Sequence, residues 1–196
     1  MRSRLLWSAC IVVVAMTVTF SVLAVIAATR QSTEGGVAVV PGASATLKIG
    51  DVAPTNFELA RLGGGDKLHL RAAIAGRPAV INLFASWCSA CAAELGAFAR
   101  VSRLFGSSVA FVGIDTNDSD PDEAQQLLRS AGARYPVGID TSSLLVARTY
   151  GVSALPVTFF VSASGHIADE VLGRQTVASL KRRVDELMKA SSRTRT

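Results

Sequence analysis

Apolar and polar positions divide this chain into four stretches of different rhythm. From Leu5 to Ala28 no residue is charged, and nearly all are apolar or small. At about 1.5 Å per residue such a stretch, wound as a helix, reaches roughly 36 Å, enough for a hydrocarbon core of about 30 Å. Residues 1–28 are therefore predicted to be a short cytoplasmic tip and a transmembrane signal-anchor. Arg2 and Arg4 precede the span and only Arg30 follows closely, which places the remainder of the chain outside the cytoplasm. The alternative is a secretion signal cut after Ala27, with Val25 two positions before it. Its apolar region would usually be only about 7–15 residues, so the uncleaved anchor is the preferred reading. Residues 29–48 have no helical or strand period and carry Gly35-Gly36 and Pro41-Gly42; they are predicted to be a flexible linker. Residues 49–190 alternate short apolar runs with amphipathic segments, and 191–196 read as a disordered tail.

Within 49–190 the pattern predicts an α/β domain. Phe57-Glu58-Leu59 and Lys67 to Leu70 read as short strands on either side of Gly63-Gly64-Gly65. Ala79-Val80-Ile81-Asn82-Leu83-Phe84 is a near-continuous apolar run, expected of a strand buried on both faces. A helix follows to about Phe105, and Val109 to Ile114 is the next buried strand. Asp120-Pro121-Asp122-Glu123 has the marks of a helix start, with an N-cap, a proline at the first position and a capping-box acid. The acids from Asp115 to Glu123 lack the glycine and glutamate that a calcium loop needs and are read as capping and solvated loop. Tyr135 to Ile139 reads as a shorter strand and Thr141 to Tyr150 as a short helix. Val157 to Val161 and His166 to Leu172 read as a hairpin across Ser164-Gly165. Thr176 to Lys189 closes the domain as a helix, with Val177, Leu180, Val184, Leu187 and Met188 along one face. This order implies a mixed central sheet with helices on both faces.

The formal charge of +5 changes the picture little. Its excess sits around the hydrophobic span and in the closing helix, while between Lys48 and Leu180 acids slightly outnumber bases. That is not a nucleic-acid-binding distribution. The three cysteines matter more. Cys10 lies inside the hydrophobic span and is read as a bystander. Cys88 and Cys91 form a lone C-x-x-C, with no second such pair or H-x-H set to complete a zinc site. No metal or separate cofactor is expected.

Cys88 follows a predicted buried strand and opens a predicted helix. Unpaired backbone N–H groups and the positive end of the helix dipole favour a thiolate there. Two intervening residues put Cys91 one turn onward, where it can close a small disulfide ring. Disulfide exchange then needs only these two sulfurs: Cys88 attacks a partner disulfide and Cys91 resolves the mixed disulfide. His69 and His166 lie in no motif and are read as surface residues.

The blocks Gly50-Asp51-Val52-Ala53-Pro54, Pro78 to Leu95 with Trp87-Cys88-Ser89-Ala90-Cys91 at its centre, and Tyr150 to Phe160 followed by Gly165-His166-Ile167 resemble the thioredoxin superfamily. Within it they are similar to the TlpA/ResA-like membrane-anchored thiol–disulfide oxidoreductases, with a redoxin domain. The resemblance implies a thioredoxin fold, an exposed nucleophile at Cys88 and a buried resolving thiol at Cys91. It implies a cis Pro156 abutting the cysteines, with Ala154 and Leu155 forming a substrate groove made more apolar by Leu155. It makes Glu94 the proton acceptor near Cys91; Glu94 also lies three residues past Cys91, on the same helix face. Asn82 stands where ordinary thioredoxins carry a buried Asp, and is read as a hydrogen-bonded buried side chain. Trp87 is read as packing, with a secondary role in covering the disulfide. Two departures from the family are Ala90 before the second cysteine and Gly96 at a position where a proline is common.

The expected function is extracytoplasmic thiol–disulfide exchange with protein disulfide or dithiol substrates, preferably in the reducing direction, with electrons from a membrane carrier. Cytochrome c maturation and upkeep of envelope protein thiols are two such tasks. Oxidative folding of secreted proteins is the alternative within this chemistry. A thiol peroxidase and a copper carrier are alternatives on the same fold. The first usually needs a Thr shortly before its cysteine, where Phe84-Ala85-Ser86-Trp87 stands here, and the second spaces its cysteines C-x-x-x-C.

Overall fold

The computed structural model describes residues 38–39, 47–141 and 143–193. The hydrophobic span and most of the linker lie outside these residues. Among the described residues no helix is long and apolar enough to cross a membrane.

In chain order the elements are β1 (Ala38–Val39), β2 (Glu58–Arg61), β3 (Leu68–His69), α1 (Leu70–Ile74), β4 (Ala79–Phe84), α2 (Ser89–Phe105), β5 (Ala110–Thr116), α3 (Pro121–Ala131), β6 (Val137–Asp140), α4 (Leu145–Thr149), β7 (Ala154–Leu155), β8 (Val157–Val161), β9 (Ile167–Leu172) and α5 (Val177–Arg193). Seven strands form one mixed sheet in the order β3-β2-β6-β5-β4-β8-β9. β4, β5 and β6 are parallel, with β2 antiparallel to β6 and β8 antiparallel to β4. β4 sits between β5 and β8, and every one of its six residues is buried. That is why its sequence reads as an apolar run and not as an alternation.

Alternate residues of the sheet feed two hydrophobic clusters, as the two-residue repeat of a strand requires. Val80 and Phe160 pack with Phe98 and Val101 of α2 and with Leu180, Val184 and Leu187 of α5. Ile81, Leu83 and Phe159 join Leu70, Ile74, Val146 and Tyr150 in the larger cluster. Tyr150 packs edge-on against Phe159 with ring centroids 4.8 Å apart, and its hydroxyl donates to the Pro54 carbonyl at 2.7 Å. The polar end of this large side chain is thus satisfied while the ring fills the core. The expected thioredoxin architecture, a mixed sheet with helices on both faces, is present.

Four expectations change. The linker was expected to be flexible throughout, yet Ala38–Val39 form a strand that pairs antiparallel with β7, Ala38 opposite Leu155 and Val39 opposite Ala154. A two-residue strand is too short to show a period in sequence. The closing helix does not stop at the expected disordered tail: α5 runs to Arg193, and Ser191 is buried, its hydroxyl accepting from the Ala163 N–H across the β8–β9 turn. The stretch read as a strand through Leu70 turns at His69 into α1. The acids between Asp115 and Glu123 divide: Asp120 caps α3 as expected, accepting from the Glu123 N–H at 3.0 Å, but Asp115 and Asp118 are buried.

Candidate active site

β4 delivers the chain to the redox pair through the short loop Ala85-Ser86-Trp87. Cys88 is the N-cap of α2, with extended backbone (φ −88°, ψ 104°), and its Sγ accepts the Cys91 N–H at 3.2 Å. Sulfur here takes the place of the oxygen of an ordinary N-cap, in front of the first unpaired amides of a 17-residue helix. Cys88 and Cys91 are joined in a disulfide, their Cα atoms 5.2 Å apart. The expected exposure of Cys88 is not found. Cys88 is 2 % exposed and Cys91 0 %, because in the closed ring the Cys88 sulfur turns inward to its partner and to the helix amide, and both cysteines join the larger core cluster.

Glu94 lies one turn beyond Cys91 and is fully buried. Its Oε1 accepts from Asn82 Nδ2 at 2.9 Å and its Oε2 from the Gln175 backbone N–H at 2.8 Å. Burial pushes its carboxyl up to about 7, against the lowering effect of those two hydrogen bonds and of the Arg174 charge. Asn82 is buried as expected. It faces Thr158 across the β4–β8 pairing, with Nδ2 3.4 Å from Thr158 Oγ1. Its Oδ1 has no partner among the described residues. An amide here can donate to the Glu94 carboxylate and, turned over, accept from the carboxylic acid, so the pair is served in both protonation states.

The Leu155–Pro156 bond is cis. Leu83 pairs with Val157, so the register carries Pro156 alongside Phe84, at the start of the loop that leads to Cys88. Leu155 does not line a groove as expected: its side chain is fully buried in the core cluster, and its main chain is paired with β1. Ala154 is also buried and paired in the same way. Trp87, expected to be mainly packing, is 45 % exposed and is held by its indole N–H, which donates to the Asn117 carbonyl at 2.8 Å.

That carbonyl belongs to a loop which sequence reasoning missed. Asn117 sits at φ 53°, a left-handed conformation that asparagine tolerates better than most residues. Next to it Asp118 accepts from the Ser86 N–H, from Ser86 Oγ at 2.9 Å and from the Asp120 N–H at 3.0 Å. The loop after β5 therefore clamps the loop before Cys88 through Asn117 and Asp118. Asp115, opposite Phe84 in the β4–β5 register, is fully buried with both carboxyl oxygens unpartnered among the described residues. Burial, and then the charge of Asp118, push its carboxyl up to about 8. Gln175 was also missed. It is 81 residues from Glu94, and no local pattern links the two.

Comparison with known proteins fits this geometry. The family model described as the AhpC/TSA family matches residues 49–170. The thiol-disulfide oxidoreductase ResA of Bacillus anthracis is 26 % identical over 136 residues, covering 69 % of this chain and 76 % of that protein. The thiol:disulfide interchange protein DsbE of Pseudomonas fluorescens biotype C is 31 % identical over 109 residues, covering 56 % and 59 %. Among solved structures, a secreted Mycobacterium tuberculosis disulfide oxidoreductase homologous to E. coli DsbE superposes with a TM-score of 0.61 at 26 % identity, covering 68 % of this chain and 97 % of that one.

Two outcomes are expected of the site as folded. Asp118→Ala leaves the buried Ser86 amide and the part-buried Asp120 amide without their acceptor, so it should cost about 1–3 kcal/mol of stability. Asp118→Asn, which keeps one acceptor oxygen, should cost less, both read from urea unfolding of the disulfide-bonded protein. The second outcome concerns pH. Glu94 is raised from 4.5 to about 7 on folding, so between those values the folded chain binds more protons than the unfolded one. Stability of the disulfide-bonded protein should then fall as pH rises through that window, with Asp115 extending the decline toward about 8. Glu94→Gln should flatten the decline below pH ~7 and leave the part above it, as read from urea midpoints against pH.

Proposed function

Because the chain belongs to the AhpC/TSA family and is a thiol–disulfide oxidoreductase of the TlpA/ResA-like kind, we propose that it works as a reductase of protein disulfides on the outer face of the cytoplasmic membrane. In this reading residues 5–28 hold it there, and a membrane electron carrier restores the dithiol. The observation that carries the exchange chemistry is the Cys88–Cys91 pair at the start of α2, with the buried Glu94 carboxyl, raised to about 7, one helical turn past Cys91; the reducing direction is our reading of the family and is what the reduction potential tests.

Reduction begins from the open dithiol. The Cys88 thiolate, favoured by the α2 amides, attacks one sulfur of a substrate disulfide. The substrate S–S bond breaks, one substrate thiolate leaves and takes a proton from solvent, and a mixed disulfide remains. Glu94 accepts the Cys91 proton, and the Cys91 thiolate attacks the Cys88 sulfur. The Cys88–Cys91 bond closes, the Cys88–substrate bond breaks and the second substrate sulfur leaves as a thiolate that takes a proton from solvent, so the substrate has gained two electrons and the enzyme has lost them. A group titrating near 7 is matched to that proton transfer at neutral pH. Asn82 positions Glu94, and the Asn117–Asp118 loop positions Trp87 and Ser86 around the nucleophile.

The main chain of Ala154 and Leu155, with cis Pro156, guides the substrate backbone in this reading. β1 now pairs with that strand and Cys88 is buried, so a substrate segment takes the place of β1 as the sulfur is uncovered. Replacing Ala38 and Val39 together with proline removes both N–H groups of β1, one of which donates to the antiparallel ladder with β7. This should speed exchange with a peptide disulfide several-fold and leave exchange with a small-molecule disulfide nearly unchanged, measured by stopped-flow Trp87 fluorescence.

The direction is tested by the reduction potential of the Cys88–Cys91 couple. A value near ~−270 mV agrees with a reductase, and one near ~−120 mV overturns it in favour of oxidative folding. Cys91→Ala should retain substrate proteins in mixed disulfide with Cys88. Capture of small thiols alone would count against protein substrates.

A further inference from the structure

Two adjoining cavities of about 350 and 380 Å³ open at the end of α2 remote from the disulfide, where Ser102, Arg103 and Gly106 line the first of them. Arg61, Arg134, Tyr135 and Pro136 form the wall they share. Arg77 and Arg103 complete the first and Arg129 the second, and neither lining contains an aspartate or glutamate. These five arginines come from five separate segments of the chain and are nearly half of the eleven basic residues between Lys48 and Leu180. Among the described residues Lys67, Lys181 and Arg183 pair with Glu58, Asp185 and Asp169, and none of the five cavity arginines faces a carboxylate in either lining.

Two of the five are fixed in place. Arg77 donates to the Gly106 carbonyl at 3.3 Å and to the Ala73 carbonyl at 3.2 Å, and Arg103 donates to the Gly132 carbonyl at 3.0 Å. Arg61, Arg129 and Arg134 make no ion pair or side-chain hydrogen bond among the described residues. Guanidinium groups gathered around one concavity without a counter-charge make it electropositive and attract anions into it. Guanidinium forks match the paired oxygens of a phosphoryl group. We propose that this double cavity binds a diphosphate group at the wall its two halves share, where Arg61 and Arg134 line both. The diphosphate can be free in solution or carried on a prenyl lipid chain, and the recognised chemistry is the same.

The full chain in a non-ionic detergent, at about 0.15 M salt, is titrated calorimetrically with sodium pyrophosphate and separately with farnesyl diphosphate. Saturable binding with Kd below about 1 mM is expected. Similar affinity for both probes assigns the site to the free anion, and at least tenfold tighter farnesyl diphosphate assigns it to the lipid-borne group. Arg61→Gln with Arg134→Gln should weaken binding about tenfold or more, while the rate of disulfide exchange and the urea midpoint stay at wild-type values. If the double variant does not fold, Arg134→Gln alone serves, since Arg134 is exposed. Absence of saturable binding by both probes, or undiminished binding by a folded variant, overturns the proposal.

Discussion

The site depends on one junction, where a strand buried on all sides ends and, after a three-residue loop and the Cys88 cap, a long helix begins. Cys88 occupies the cap of α2 and Cys91 its first turn, so the sulfur of one faces the amide of the other. That interaction is local, but its geometry is held by distant contacts. β4 is locked between β5 and β8, and α2 is pinned by Leu95, Phe98 and Val101, each almost completely buried. Neither the strand nor the helix can shift without opening the core. The positions of the sulfurs are therefore fixed to the extent that the packing is, and the chemistry does not have to order them at each turnover.

Around this junction the structure places buried acids of different kinds. Asp118 has its lone pairs taken up by Ser86 and Asp120 and does structural work. Asp115 has no such partners and is kept neutral by burial and by the charge of Asp118. Glu94 lies between these cases, with both oxygens hydrogen-bonded but its carboxyl still raised toward neutrality. Only such a group changes charge readily near neutral pH, as a proton acceptor for a thiol must. Asn82 helps to keep it so. An aspartate in its place would be a second negative charge 2.9 Å from the first and would push one of the pair out of the useful range.

What the sequence made legible follows the range of the forces involved. Burial of β4 on both faces, the Asp120 cap and the period of α5 are short-range facts, written in consecutive residues. The placement of Cys88 and Cys91 was legible for the same reason. Pro156, by contrast, was readable only through family resemblance, since nothing in its neighbours dictates a cis bond. Gln175 and Asp118 act on the site from 81 and 32 residues away, where periodicity carries no information. Asp118 was hidden further by its setting, because a run of acids near a helix start is normally solvated. The burial of Cys88 escaped notice because exposure was inferred for a reactive thiol, whereas the structure holds the closed disulfide.

The two ends of α2 carry opposite demands. At its N-terminus the helix dipole favours negative charge, and a sulfur stands there. At its C-terminus unpaired carbonyls favour positive charge, and Arg77 donates to Gly106 at that end while Arg103 lies in the last turn. Helix capping thus accounts for two of the five arginines around the double cavity. It does not account for the other three. Arg61 closes β2, Arg129 lies in the last turn of α3 and Arg134 follows that helix; none of them donates to an α2 carbonyl. All three are exposed, but they share cavity walls with Arg77, held at Gly106, and Arg103, held at Gly132, so the five positive charges face one concave surface that carries no carboxylate. A helix terminus alone would have needed one or two cations. The surplus is what the anion explains.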